Sequence, residues 1–312
     1  MSEQARDDNL REIIAGLQQA EKMISPKYFY DERGSQLFDQ ITTLPEYYPT
    51  VTERGIMQNN IAEIAALIGP RASLIELGSG SSAKTRVLLQ HLADQAVYVP
   101  VDISEDHLLT STQQIRSEFP DLEILPVVAD FTQPFALPDP SVMPLRNIVY
   151  FPGSTIGNFT DDSAHELLEV MHHVAGENGA LLIGVDLQKD PGIIERAYND
   201  SAGVTAEFNL NMLRHLNREY GSDFDLDCWS HDARYNESEG RIELRLINST
   251  SQTINIGQET VVIEAGEGIL TEYSHKYTLA GFAAMAGQAG FEVAQVWTDS
   301  EQLFSVQYCT RS

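Results

Sequence analysis

Several short stretches carry residue types whose spacing suits chemistry. In "LIELGSGSSAK", Gly78, Gly80 and Ala83 form a G-x-G-x-x-A turn. Its glycines let backbone approach a ligand closely, and a helix starting there offers free N–H groups. Asp102 closes the next apolar run, "AVYVPVD", where a carboxylate can accept hydrogen bonds from both hydroxyls of a ribose. Asp130 and Phe131 close the run after that, suited to an adenine amine and an adenine face. Further on, "ILTEYSHKY" sets Glu272 and Ser274 two residues apart, so in a strand both point the same way. Alone, that pair is either solvated surface or a grip on a small polar ring.

The surrounding elements decide which positions can meet. "LREIIAGLQQAEKMI" and "GSQLFDQITTL" have apolar residues at helical spacing, and residues 10 to about 67 read mostly helical. From residue 73 a β/α alternation begins: "SLIEL", "AVYVPVD", "EILPVVAD", "NIVYFPG" and "ALLIGVDL" are apolar runs, most of them followed by helix-length amphipathic segments. Such alternation predicts βαβ units and a parallel sheet, with ligands taken at the strands' C-terminal ends. Past about residue 190 the pattern changes to a helix, "AEFNLNMLRHLNREY", then to strands "RIELRLINS", "QTINIG" and "ETVVIEAGEGILTEYS" joined by polar turns. A final helix, "LAGFAAMAGQAGF", and a hairpin, "EVAQVWTD" and "LFSVQYCT", return to the sheet. The expected fold is α/β, a doubly wound sheet with an α+β region inserted before its closing helix and hairpin.

Composition excludes several classes. With 312 residues, 42% hydrophobic, the chain can bury a proper core. No run approaches the roughly 20 apolar residues of a membrane span, and the polar start "MSEQARDDNLREII" does not read as a signal peptide. The expectation is a cytoplasmic protein with no membrane partner. Two cysteines, Cys228 and Cys309, show no metal-ligand spacing, and the adjacent His172 and His173 would face different directions on a helix, so no metal is expected. A net charge of −26 without a basic block would repel a phosphate backbone, which argues against nucleic acid.

Gly-Ser-Gly, Asp and Asp-Phe at three successive sheet ends outline an adenosine crevice, and both NAD and S-adenosylmethionine contain adenosine. The closing hairpin favours the methyltransferase form of the sheet. Near Gly80 only Lys84 could meet a phosphate, and a sulfonium cofactor needs no phosphate pocket; a dehydrogenase is the second choice.

Longer strings narrow this further. "KYFYDERGSQLFDQITTLPEYYPTVTE", "LIELGSGSSAKTRVLL", "FPGSTIGNFT", "RAYNDSAGVTAEFNLNMLRHLNRE", "DFDLD" and "LTEYSHKY" together resemble the histidine-specific methyltransferases of ergothioneine biosynthesis, from about residue 25 onward. The resemblance implies a Rossmann-like class I methyltransferase sheet with an inserted α+β substrate-binding domain. Residues 53–189 and 278–312 would form the S-adenosylmethionine domain, and residues 1–52 and 190–277 the substrate domain. It implies trimethylation of the α-amino group of L-histidine to hercynine; the chain is expected to be a monomer. Carried over by position, Tyr30, Gly78, Lys84, Asp102, Asp130 and Phe131 fall on the cofactor side. Tyr47, Asn158, Tyr198, Glu272 and Ser274 fall on the amino-acid side, with Tyr30, the Gly153 carbonyl and Asn158 nearest the reacting nitrogen or its carboxylate. Leu244 stands where the family often has methionine lining the side-chain pocket, a near volume-conserving change.

Read singly, these residues have plainer roles: Asp102 and Asp130 as strand-end acids or helix caps, Asn158 as a turn residue after Gly157, Lys84 as a solvated helix residue, and Tyr30, Tyr47, Tyr198 and Phe131 as packed aromatics. Other substrates within the same family are an indole amine or a sulfur-substituted histidine. An indole would leave a buried Glu272 carboxylate poorly paired. A module that binds the cofactor without turnover would be expected to lack Asn158, Tyr47 or Glu272, and all three are present.

Overall fold

The structure, a computed structural model, describes residues 3–80, 83–92, 94 and 97–312. In chain order the elements are α1 (Glu3–Leu17), α2 (Glu32–Ile41), α3 (Tyr48–Ile68), β1 (Ala72–Leu77), α4 (Ala83–Leu89), β2 (Val97–Asp102), α5 (Glu105–Glu118), β3 (Val127–Val128), β4 (Arg146–Phe151), α6 (Asp161–Ala175) and β5 (Ala180–Asp186). After them come α7 (Pro191–Tyr198), α8 (Val204–Tyr220), β6 (Trp229–Asn236), β7 (Arg241–Asn248), β8 (Gln252–Ile256), β9 (Glu259–Ile263), β10 (Gly268–His275), α9 (Leu279–Gln288), β11 (Phe291–Thr298) and β12 (Phe304–Arg311). The chain divides into two compact units, residues 1–48 with 189–275 and residues 49–188 with 276–312.

The second unit is a seven-stranded sheet of order β11-β12-β5-β4-β1-β2-β3. β1 pairs in parallel with β2 and β4, β4 with β5, and β2 with the short β3. β12 enters antiparallel between β5 and β11. Strand β5, "ALLIGVD", is buried at every residue, as expected of a central strand covered on both faces. One face packs Ile75, Val99 and Phe151 with Leu168 of α6 and Phe282 of α9, and the other packs Leu74, Tyr98, Tyr150 and Phe304 with Ile64 of α3. Local signals set the helix ends: Thr160 and Thr278 cap α6 and α9, each side chain accepting from a backbone N–H three residues on, and Gly176 closes α6 at φ +70°.

The first unit is built on a three-stranded antiparallel sheet, β10-β7-β6, beside a separate β8-β9 hairpin. β7, "RIELRLIN", alternates half-buried and buried residues along its length, the pattern of a sheet with one face on a core. That core joins Ile13, Phe29, Leu37, Phe208, Leu213, Leu246 and Ile269.

Some elements differ from the sequence reading. "ETVVIEAGEGILTEYS" is two strands, β9 and β10, separated at residues 264–267. α1 stops at Leu17, and Met23 bridges Leu270 of β10 where helix was expected to continue. β6 was not expected, because its fully buried residues are only Trp229 and Ala233 and the rest of "WSHDARYN" is polar or aromatic. Among the described residues no helix is long and apolar enough to cross a membrane.

Candidate active site

In the seven-stranded unit the residues expected to hold the cofactor, Gly78, Gly80, Asp102, Asp130 and Phe131, lie at or just after the C-terminal ends of β1, β2 and β3. Gly78 and Gly80 sit at φ +68° and +45°, conformations that side chains resist. A Cβ at Gly78 would lie 3.6 Å from the Phe131 ring, an ordinary contact distance, so the turn sits directly against that aromatic edge. Asp102 ends β2; one carboxylate oxygen accepts the Ser104 N–H at 2.9 Å and the other the Gly80 N–H at 3.4 Å, tying the turn to the next strand. Asp130 is exposed and holds Thr132 through both its N–H (3.0 Å) and its hydroxyl (2.6 Å), while Phe131 packs edge-on against Phe151 at 5.6 Å. Ser81 and Ser82 of the Gly-rich turn lie outside the described residues. A glycine cradle, a ribose-suited carboxylate and an aromatic edge on successive strand ends fit an adenosyl cofactor.

Beneath that turn lies a polar cluster. Glu76 of β1 is buried and accepts hydrogen bonds from Thr85 and Tyr98. Burial drives its carboxyl up to about 7 against the pull of those two donors and of Lys84, with Asp102 adding to the rise. The Tyr150 phenol is raised well above its ordinary value by burial and by Glu53 and Glu76. Lys84 makes an ion pair with Glu53 of α3, and Glu53 also accepts the Gly153 N–H at 2.9 and 3.1 Å. Gly153 (φ +82°) and Ser154 (φ +58°) turn the chain sharply after β4, and the Ser154 hydroxyl accepts the Asp186 N–H at 2.9 Å. Asn158 ends the single 3-10 turn that follows.

In the other unit lie Tyr47, Tyr198, Leu244, Glu272 and Ser274, five of the six residues expected on the amino-acid side; the sixth, Asn158, belongs to the seven-stranded unit. The Tyr198 hydroxyl, at the end of α7, donates to the Ser274 hydroxyl at 2.8 Å. Both side chains are buried. Leu244, 1% exposed, packs in one cluster with Tyr198 and Tyr47 and lies directly across from Glu272 in the β7–β10 register. An aromatic wall runs from Tyr30 to Phe38 (5.8 Å), Phe38 to Tyr47 (6.4 Å) and Tyr47 to Tyr198 (6.1 Å). Tyr30 is 43% exposed at the end of that row, and the adjacent Asp31 caps α2. The Asp31 carboxyl is held below its ordinary value: burial works to raise it and is outweighed by hydrogen bonds from Gly34, Arg218 and Asn211.

Three features of these sites carry no local sequence signal. A β-bulge shifts the β10 register between Leu270 and Glu272, and the buried Thr271 hydroxyl there has two acceptors for its one hydrogen, the Asn209 side-chain oxygen (2.8 Å) and the Leu244 carbonyl (3.1 Å). Asn209 in turn donates to His231 at 2.8 Å, whose other ring nitrogen meets the Tyr198 carbonyl at 2.8 Å. The Asn209 amide nitrogen can only donate, so the facing ring nitrogen accepts and the other donates to the Tyr198 carbonyl; burial, which lowers the His231 pKa, favours that neutral form. This relay locks the strand carrying Glu272 to the helix carrying Tyr198. The third feature is Glu53, whose partners Lys84 and Gly153 are far from it in the chain. Among the described residues no group of three or more His, Cys, Asp or Glu side chains is placed to hold a metal.

The comparisons with known proteins follow the same lines. A histidine N-alpha-methyltransferase of Mycolicibacterium smegmatis is 41% identical over 96% of this chain and 94% of its own. An ergothioneine biosynthesis protein of Neurospora crassa is 33% identical over 86% of this chain and 31% of its own. Among solved structures, an S-adenosylmethionine-dependent methyltransferase of Clostridium acetobutylicum matches with a TM-score of 0.50 over 90% of this chain and 98% of that one, at 9% identity, a likeness of fold alone. The model of the histidine-specific, S-adenosylmethionine-dependent methyltransferases matches residues 9–311, and this chain belongs to that family.

Proposed function

We propose that this protein transfers methyl groups from S-adenosylmethionine to the α-amino nitrogen of L-histidine, three times in succession, giving hercynine for ergothioneine biosynthesis. The observation that carries the substrate choice is the convergence of Glu272, Ser274, Tyr198, Tyr47 and Leu244 in one unit. A neutral imidazole offers one N–H donor and one acceptor nitrogen on a flat apolar ring. A carboxylate, a hydroxyl and an aromatic-aliphatic wall answer those three properties.

In this reading Glu272 accepts the imidazole N–H, Ser274 serves the second ring nitrogen, Tyr47 and Leu244 flank the ring, and Tyr198 and Asn158 are assigned to the substrate carboxylate. The Tyr198–Ser274 bond constrains how these roles combine. With Tyr198 donating, the Ser274 hydrogen is turned to the ring nitrogen. With Ser274 donating, the Tyr198 hydrogen is available to the carboxylate and a water serves the nitrogen.

For the cofactor, Gly78 would give backbone access, Asp102 would take the ribose hydroxyls, and Asp130 and Phe131 the adenine. Lys84 would take the carboxylate, the cofactor's one anionic group, and Tyr30 would complete the cofactor side. When bound, the sulfonium supplies an electrophilic methyl group. The protein's part is alignment, and Tyr30 and the Gly153 carbonyl are the groups assigned to orienting the amine lone pair. On this reading residues 53–189 with 278–312 are the methyltransferase domain and residues 1–52 with 190–277 the substrate domain, in a monomeric cytoplasmic protein with neither nucleic acid nor membrane as partner.

The test is a purified reaction with S-adenosylmethionine and L-histidine followed by mass spectrometry. Mono-, di- and trimethylhistidine are expected in sequence. Unmodified histidine beside methylation of another amine would overturn the substrate, and sedimentation as a dimer would overturn the monomer.

A further inference from the structure

Glu53 lies in α3 and is 1% exposed. A carboxylate taken out of water at that depth costs several kcal/mol unless it is paired and fully hydrogen-bonded. Its partners come from distant parts of the seven-stranded unit. Lys84, one residue into α4 after the Gly-rich turn, supplies the charge. Gly153, in the left-handed turn after β4, supplies a backbone N–H bonded to both carboxylate oxygens. A Cβ at Gly184 in β5 would lie 2.1 Å from the nearer carboxylate oxygen, so the strand beside it leaves room for the acid by omitting a side chain. The Lys84 ammonium also lies close to the turn, 3.5 Å from where a Gly153 Cβ would be.

We propose that Glu53 is a positioning residue that fixes the Lys84 ammonium and the Gly153 peptide in one arrangement, so that Lys84 meets the cofactor's carboxylate with its remaining donors already aimed. This rests on the reading of Lys84 as a cofactor ligand. An ammonium has three donors; one is spent on Glu53, which leaves two for a ligand and removes the rotamer freedom that a solvated lysine would lose on binding. The shared carboxylate also ties that ammonium to the turn bearing the carbonyl assigned to the substrate amine.

The experiment is calorimetric titration of S-adenosylhomocysteine into wild type, Lys84→Met, Glu53→Gln and the double variant, below the melting temperature of each. Gln keeps an oxygen for the Gly153 N–H but turns an amide donor toward the ammonium, so it removes the aim of Lys84 while preserving the turn. Lys84→Met is expected to weaken binding by roughly tenfold or more, the loss of a charge-assisted bond. Glu53→Gln is expected to do the same, and the double variant to bind no worse than Lys84→Met alone. The double variant also removes both members of the ion pair together, so its fold does not carry an orphaned buried charge. If Lys84→Met binds as wild type, the assignment of Lys84 fails and the inference falls with it. If Lys84→Met weakens binding but Glu53→Gln does not, or the two losses add, the assignment stands and the inference alone is overturned. A lowered melting temperature in Glu53→Gln with unchanged affinity marks a structural role only, and likewise overturns it.

Discussion

The two units hold their candidate residues by different means. In the seven-stranded unit the cradle is mostly backbone and strand ends: two glycines at positive φ, a carboxylate bonded to main-chain N–H groups, and an exposed Asp130 braced by its neighbour Thr132. In the three-stranded unit the candidate residues are held side chain upon side chain, with Tyr198 on Ser274 and Thr271 on Asn209 on His231, all in buried or partly buried surroundings. A backbone cradle suits a ligand shared by many enzymes, since it depends on the turn more than on any one side chain. An interlocked pocket suits discrimination, because an ill-fitting ligand leaves buried polar groups without partners.

That contrast can be broken by substitution. The largest effect is expected from Glu272→Ala, which should lower the preference for histidine over tryptophan by up to roughly 10⁴ in kcat/KM, the range seen when a polar-group-reading site loses its partner. S-adenosylhomocysteine affinity should stay near wild type; if it falls in step with selectivity, the two units are not separable in this way.

Next is Glu76, the buried acid beneath the cradle, raised from 4.5 to about 7 by burial. The folded protein holds a proton there that the unfolded chain releases, so its contribution to stability is present below about pH 4.5 and is lost as pH rises through about 7. At about 1.4 kcal/mol per unit the loss is on the order of 3 kcal/mol. Glu76→Gln should therefore flatten the fall in melting temperature across that window, and parallel curves for variant and wild type would refute it.

Asp102→Ala should weaken S-adenosylhomocysteine binding by about 1.5 to 3 kcal/mol, the range for hydrogen bonds to a charged group, while leaving histidine selectivity unchanged. Equal affinity in calorimetry would place the ribose elsewhere. The smallest expected change is from Tyr198→Phe, which removes one buried neutral hydrogen bond worth about 0.5 to 1.5 kcal/mol. It should raise the KM for histidine a few-fold with cofactor affinity constant; an unchanged KM would mean that the bond to Ser274 aims nothing at the substrate.

Legibility in the sequence divides along the same line. The parallel strands are short apolar runs whose ends carry glycine or aspartate, so β1, β2, β4 and β5 and the cradle's Gly78, Gly80 and Asp102 could be read locally. β6 could not, because its alternation shows only at Trp229 and Ala233. In the pocket, residue types alone left Glu272 and Ser274 as either surface or grip, and the family strings supplied the preference. The bulge that presents Thr271, the Asn209–His231 relay and the pairing of Glu53 with Lys84 and Gly153 are long-range events. They are fixed by what folds against each side chain, and no spacing within a window records them.

The place of β12 in the sheet has a consequence for how the protein is made. β5 is buried along its whole length and is flanked by β4 and β12, yet β12 is synthesised only after residues 189–275, α9 and β11. On the ribosome, the nascent chain therefore carries an apolar strand with one unpaired edge through the whole production of the intervening unit. Such an edge invites pairing with a neighbouring chain. A transcript cut short before Phe304 yields a polypeptide with an open, adhesive sheet, and expression yield should depend on how quickly translation carries the chain across that interval.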